Sequence, residues 1–324
     1  MLKKILPFLL GLALVLPLTA CGPRESAQRS EDGLTLAAVT YPVYLFAREI
    51  TQGAENVEVT LIINQSVSCV HDYTLSVRDM KILDGADVVL LNGAGLEASM
   101  ADALEAAHTR QIDCSTGIAL LASSHDHDHD HDHEDEDHSQ EDPDYDHEEE
   151  EGEPDPHIWL DPLRACQMLE NLARGLGEVD PDHAALYQAN AQTAGSKVAA
   201  AYRDLKPQLA DLACRDLITF HDGFTYFADA FDLTILRSIE EEAGSEASAR
   251  DVIEIVEELE LHHIPAIFTE VNGSTATAQV IHRETGVPVY PLNLLMSGET
   301  GAVGIDTYLA GITANVNTIQ EACS

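Results

Sequence analysis

Apolar and polar positions fall in blocks along most of the chain, and the blocks read alternately as strand and helix. Residues 34–40 are an apolar run that predicts a strand, and Pro42 opens a helix ending near Gly53. A second strand is expected over 57–63, followed by a polar loop over 64–74. Ser76 has the position of an N-cap for a helix reaching Leu83, and 87–91 reads as a buried strand. A helix over 96–108 and a short strand over 111–114 complete the first half. Single helices between strands imply βαβ units and a parallel sheet.

The alternation stops at 123 and restarts after Asp161, an N-cap followed by Pro162 at the first helical position. That helix should run to about Leu176. Asp180-Pro181 repeats the start signal, and the Ala-rich stretch 182–212 reads as one long connecting helix, interrupted only by Pro207. The second half then repeats the plan of the first. Strands are expected over 216–220, 233–239, 264–269 and 287–292. Helices are expected over 223–231, 248–262 (capped by Ser248), 274–285 and 305–322. The fold class is therefore α/β: two parallel-sheet βα domains, over 34–179 and 213–324, joined by a long helix over 180–212. No sequence repeat underlies this symmetry.

The segment that breaks the pattern changes the picture most. His125, His127, His129, His131, His133, His138 and His147 stand among Asp and Glu, and 123–154 contains nothing from which a packed core could be built. Imidazole and carboxylate are, however, ligands for borderline divalent metals, so this tract reads as a low-affinity metal collector on an unstructured loop. Between residues 126 and 155 lie 18 acidic residues and no Lys or Arg; removing them from the formal net charge of -40 leaves -22. The whole chain is acidic, which disfavours nucleic acid as a partner and favours cations.

The N-terminus reads as a targeting device. Lys3 and Lys4 precede an apolar run over 5–16, too short to span a membrane but suited to a signal peptide over 1–20. Cys21 follows Leu18-Thr19-Ala20, which resembles a bacterial lipobox, so Cys21 is the expected lipid attachment point and 21–33 a tether. The protein is then expected outside the cytoplasmic membrane, anchored by lipid to the bacterial cell membrane. Cys69, Cys114, Cys166, Cys214 and Cys323 have no Cys-x-x-Cys spacing and read as structural, with their pairing left open.

Eight histidines lie outside the tract. His108, His183, His262 and His282 sit in or at the ends of predicted helices among polar neighbours and read as solvated surface residues, while His263, beside a strand start, reads as structural. His71 and His221 instead follow predicted strands at their C-terminal ends, where open parallel sheets bind ligands, and His157 precedes a helix. Three imidazoles meeting between two domains would make a neutral nitrogen site, which suits zinc better than manganese or magnesium. Asp72 and Asp222 each follow a histidine directly and are candidates to orient it.

Several motifs occur together in order: Tyr41-Pro42-Val43-Tyr44, His71-Asp72-Tyr73, Asn92-Gly93-Ala94-Gly95-Leu96-Glu97, Asp155-Pro156-His157-Ile158-Trp159-Leu160-Asp161-Pro162 and Phe220-His221-Asp222-Gly223-Phe224. As a set they resemble the zinc- and manganese-binding lipoproteins of bacterial ABC importers, over essentially the whole chain after the tether. The resemblance implies two domains held by a rigid long helix, with one metal ion trapped in the cleft between them. It also implies His71, His157 and His221 as ligands, Zn2+ in preference to Mn2+, and an ABC permease with its ATPase as partners. The family's fourth ligand is an Asp, and the best-aligned residue here is Asn293, so the fourth position is open among water, Asn293, Glu270 and Glu299. Cys69 departs from the pattern as well, and both metal contact and a disulfide are open to it. No catalysis is expected. The competing functions are an extracellular metal-buffering adhesin and, with no His-Glu-x-x-His helix to support it, a zinc hydrolase.

Overall fold

The computed structural model describes residues 33–65, 70, 73–123, 154–240, 248–273, 275–301 and 304–324. The leader, Cys21, Cys69, His71, Asp72 and the seven histidines of the tract lie outside the described residues.

The first half contains β1 (Leu34–Ala38), α1 (Tyr41–Ile50), β2 (Val57–Leu61), α2 (Val77–Gly85), β3 (Val88–Leu91), α3 (Ala101–Ala107) and β4 (Arg110–Asp113). α4 (Pro162–Val179) and α5 (Ala184–Leu205) follow and pack along each other. The second half contains β5 (Asp216–His221), α6 (Thr225–Phe231), β6 (Thr234–Glu240), α7 (Ala249–Leu261), β7 (Ile267–Glu270), α8 (Ala276–Thr285), β8 (Val289–Leu292) and α9 (Gly304–Cys323). The sheets have the orders β2-β1-β3-β4 and β6-β5-β7-β8, and every pair is parallel. The chain reverses its direction of travel across each sheet at one place, between β1 and β3 and between β5 and β7. That switch point is where ligands bind in open α/β sheets.

Local chemistry accounts for the helix starts. Ser76 and Ser248 each form a reciprocal capping box, with Asp79 and Asp251, satisfying two otherwise orphaned N–H groups at each helix. Asp161 accepts the Leu163 N–H at 2.7 Å, with Pro162 at the first helical position. The long helix differs from expectation. α5 ends at Leu205, and Lys206–Leu209 continue as a 3-10 turn, because Pro207 has no N–H to carry the α-helical ladder. The expected helix over 96–108 is likewise split, into a 3-10 turn (Ala98–Met100) and α3.

The two halves share one continuous apolar core. Phe46 of α1, Trp159 and Tyr308 of α9 are fully buried, and the Phe46 and Tyr308 rings meet edge-on at 5.3 Å. A smaller cluster around Ile218, Ile255, Ile267 and Ile281 lies between the second sheet and α7 and α8. The loop after β3 ties the first sheet to the segment that carries His157. Glu97 accepts the N–H groups of Asn92 at 2.8 Å and Gly93 at 3.1 Å, and the Asn92 side-chain amide donates to the Pro156 carbonyl at 2.9 Å. The Asn-Gly-Ala-Gly-Leu-Glu motif is thus a brace.

Burial pushes the Glu97 carboxyl up, against the pull of its two backbone donors, to about 7. A carboxyl raised above its unfolded value contributes stability that is complete below that unfolded value. The contribution is lost as pH rises through about 7. The stability of wild type relative to Glu97→Gln should therefore fall between pH 5 and pH 8, by up to about 3 kcal/mol, in urea denaturation at constant salt. A difference that stays flat over this window would show that Glu97 is not raised.

Candidate metal centre

Two of the expected ligands meet in the seam between the halves. His221 is the last residue of β5, at the switch point of the second sheet, and His157 lies just before the 3-10 turn Ile158–Leu160. Both are buried, at 4% and 0% exposure, and their rings stand edge-to-face with centroids 5.3 Å apart. Gly223 makes this approach feasible. A Cβ there would lie 2.9 Å from His221 Cδ2 and 3.2 Å from His157 Cε1, too close for either ring to stay in place.

Asp155 sets the orientation of His157. Its Oδ1 lies 2.7 Å from His157 Nδ1 and also accepts the His157 backbone N–H at 2.8 Å. Burial alone would raise the Asp155 carboxyl, but the nearby charge of His157 and these hydrogen bonds hold it below the usual carboxylate range. An ionised Asp155 favours the proton on Nδ1, so that whenever the ring is neutral Nε2 carries its lone pair. Trp159 packs against the His157 ring at 5.2 Å and donates from its indole to the Leu294 carbonyl at 2.8 Å, fixing the turn to the second half.

Neither ring nitrogen of His221 has a hydrogen-bond partner among the described residues. Buried nitrogens left in this condition cost stability unless a ligand uses them. The carboxylate nearest to them belongs to Glu270, the last residue of β7, with Oε1 3.7 Å from His221 Nδ1. Imidazoles from two segments and a carboxylate, the side-chain types that borderline divalent cations prefer, thus lie buried in the same part of the seam. Among the described residues no group of three or more His, Cys, Asp or Glu side chains is drawn together closely enough to hold a metal ion.

The structure also places three other candidate residues. Asn293 Oδ1 accepts the Leu295 N–H at 2.7 Å and holds a turn in which Leu295 has a φ of 61°. Asn315 pins the same residue, accepting its N–H and donating to its carbonyl, both at 2.8 Å. The Asp222 carboxylate accepts hydrogen bonds from Ser123 and, at 3.4 Å, from Ser238, while the carboxylate facing His221 is that of Glu270. Glu299 is exposed, with its backbone carbonyl taken by the Tyr41 hydroxyl. Sequence reasoning misses Asp155 and Gly223 as site residues. Both sit within two positions of His157 or His221 in the quoted motifs, and Asp155 precedes His157, whereas Asp72 and Asp222 follow their histidines.

The remaining histidines have structural surroundings. His183 Nδ1 lies 2.6 Å from Asp180, His282 Nδ1 lies 2.7 Å from the Val287 carbonyl, and His108, His262 and His263 are exposed. Cys114, Cys166, Cys214 and Cys323 are free thiols, and burial pushes Cys114 well above the ordinary thiol range, as suits a packing residue. Among the described residues no helix is long and apolar enough to cross a membrane.

Comparison with known proteins identifies the family. Residues 37–322 match the family described as the zinc-uptake complex component A, periplasmic, ZnuA. The zinc-binding lipoprotein AdcA of Streptococcus pneumoniae is 27% identical over 325 residues, covering 99% of this chain and 61% of AdcA; the chain thus spans about three fifths of that relative. The iron-binding protein YfeA of Yersinia pestis is 27% identical over 333 residues, covering 97% of this chain and 96% of YfeA. The crystal structure of a Zn(II)-bound mutant variant of AdcAII from Streptococcus pneumoniae superposes with a TM-score of 0.72 at 26% identity, covering 91% of this chain and all of that one. With a family model matched from the first strand to the last helix, the chain belongs to the ZnuA family of metal-binding solute-binding proteins, which are not enzymes.

Proposed function

We propose that the protein captures Zn2+ outside the cytoplasmic membrane and delivers it to an ABC permease, with Cys21 carrying the lipid that anchors it. The observation that carries this reading is the pair of buried, facing imidazoles, one fixed by Asp155 as a neutral Nε2 donor and the other with both nitrogens available. His157, His221 and Glu270 are the proposed ligands, and His71 is assigned to the same set from its motif. Neutral nitrogen donors with one carboxylate suit zinc better than manganese, and Fe2+ is the competitor to test because YfeA is named for iron. The acidic histidine tract serves as a weak collector. Its many sites raise the local cation concentration beside the seam, since both ends of the tract emerge there.

Competitive titration with zinc, manganese and ferrous ion tests the site. His157→Ala should abolish the tight zinc site while leaving weaker tract binding, whereas Asn293→Ala should change affinity by less than about threefold, as for a residue outside the ligand set. A large loss in Asn293→Ala would restore it as a ligand. Asp155→Asn removes the charge that fixes the imidazole and should weaken zinc roughly 10- to 100-fold with the fold retained; an unchanged Kd would discard its orienting role. Deleting 124–153 should spare tight affinity yet slow zinc uptake by cells under scarcity, and uptake at the wild-type rate would sink the collector role.

A further inference from the structure

The seam has two sides of different character. On one side and in the middle it is buried and mostly apolar. Phe46, Trp159 and Tyr308 fill it, Trp159 donates to the Leu294 carbonyl, and Tyr308 donates to the Trp159 carbonyl at 2.8 Å. Beyond them α1 lies against α9, with the Tyr44 hydroxyl donating to the Thr300 carbonyl and Glu49 capping the Ile305 N–H at 3.1 Å. Such packing moves little, because separating it would expose a continuous core.

On the other side the halves meet through polar groups at the neck of the histidine tract. Ala122 pairs with Pro154 as an antiparallel bridge, and the Asp155 N–H donates to the Leu121 carbonyl at 2.9 Å, so the two stems are tied together. From this neck Ser123 donates to Asp222, and the Leu121 N–H donates to the Tyr226 hydroxyl at 3.0 Å. Arg164, at the start of α4, reaches Asp229 of α6 at 2.9 Å while bound to Asp161 at 2.6 Å, and its guanidinium lies 4.8 Å from the Tyr226 ring centre. Asp229 is 53% exposed, so water can replace these contacts readily. Each stem also adjoins a proposed ligand: Asp222 follows His221, and Asp155 orients His157.

We propose that this neck is a latch: Ser123, Tyr226 and Arg164 form the releasable side of the seam and set how fast the metal leaves. The buried packing around Trp159 and Tyr308 is the fulcrum. The inference rests on the metal-capture reading and adds to it three positioning residues, none of which is a ligand. Breaking a latch contact makes opening easier without removing a donor atom, so its effect falls on dissociation. Association into the seam stays as it was.

The test is a chelator chase of the zinc-loaded purified protein, following the slow phase in wild type, Ser123→Ala, Ser123→Ala with Arg164→Met, Tyr44→Phe and His157→Ala. Each lost latch contact should speed release roughly three- to tenfold, with the association rate unchanged, and Ser123→Thr should restore the slow rate. Tyr44→Phe, on the fulcrum side, should stay within about twofold of wild type. Release from the double variant within about twofold of wild type, or equal acceleration in Tyr44→Phe, overturns the latch. If the melting temperature of the metal-free double variant drops, Ser123→Ala alone carries the test, since it removes one hydroxyl. A slow phase that His157→Ala abolishes and Ser123→Ala leaves untouched rejects the latch but keeps the metal site. A wild type with no slow phase rejects both.

Discussion

Two buried imidazoles facing each other across a seam impose most of what is particular about this structure. An imidazole in a dry site must be neutral, correctly tautomeric and held still before its lone pair is useful. Asp155 supplies the tautomer for His157, and the end of β5 supplies the position of His221. Gly223 supplies the space, since a Cβ there would clash with the His221 ring and press on that of His157. The brace from Glu97 through Asn92 to Pro156 then fixes the short segment from which His157 projects. The sheets, capping boxes and core serve to hold these few atoms in register from opposite sides.

In the proposed reading the donors come from both halves, so full coordination requires the seam to be closed. Trp159, Phe46 and Tyr308 keep one side of the seam permanently packed, while the far side is joined by hydrogen bonds and an ion pair that water can replace. A solute-binding protein needs this asymmetry, because cargo must be held against dilution and then released to a partner. The described stems on either side of the histidine tract, at Ser123 and Pro154, lie on the polar side of the seam.

Much of this is legible in the sequence because the signals are local. Pro42, Ser76, Asp161 and Ser248 announce their helices through local start signals that tertiary context does not override, and the central strands β1, β3, β5 and β7 are buried on both faces, as parallel strands are. His157 and His221 are identifiable from their place before a helix and after a strand. What is not legible in the sequence is not local. That Asn293 spends its amide oxygen on Leu295 depends on a left-handed turn that no composition signal reveals. That Asp222 turns to Ser123 while Glu270 faces His221 depends on which strand lies beside β5, and hence on sheet order. Pro207 is legible as a break, and its effect is to convert the end of the long helix into a 3-10 turn.

The measurement that bears most directly on the shared metal is anomalous diffraction at the zinc edge, from crystals of the protein grown with one equivalent of zinc. The account predicts the strongest anomalous peak in the seam, about 2.0–2.1 Å from both His157 Nε2 and a ring nitrogen of His221. A strongest peak bound by only one of these histidines, or lying away from the seam altogether, would contradict it.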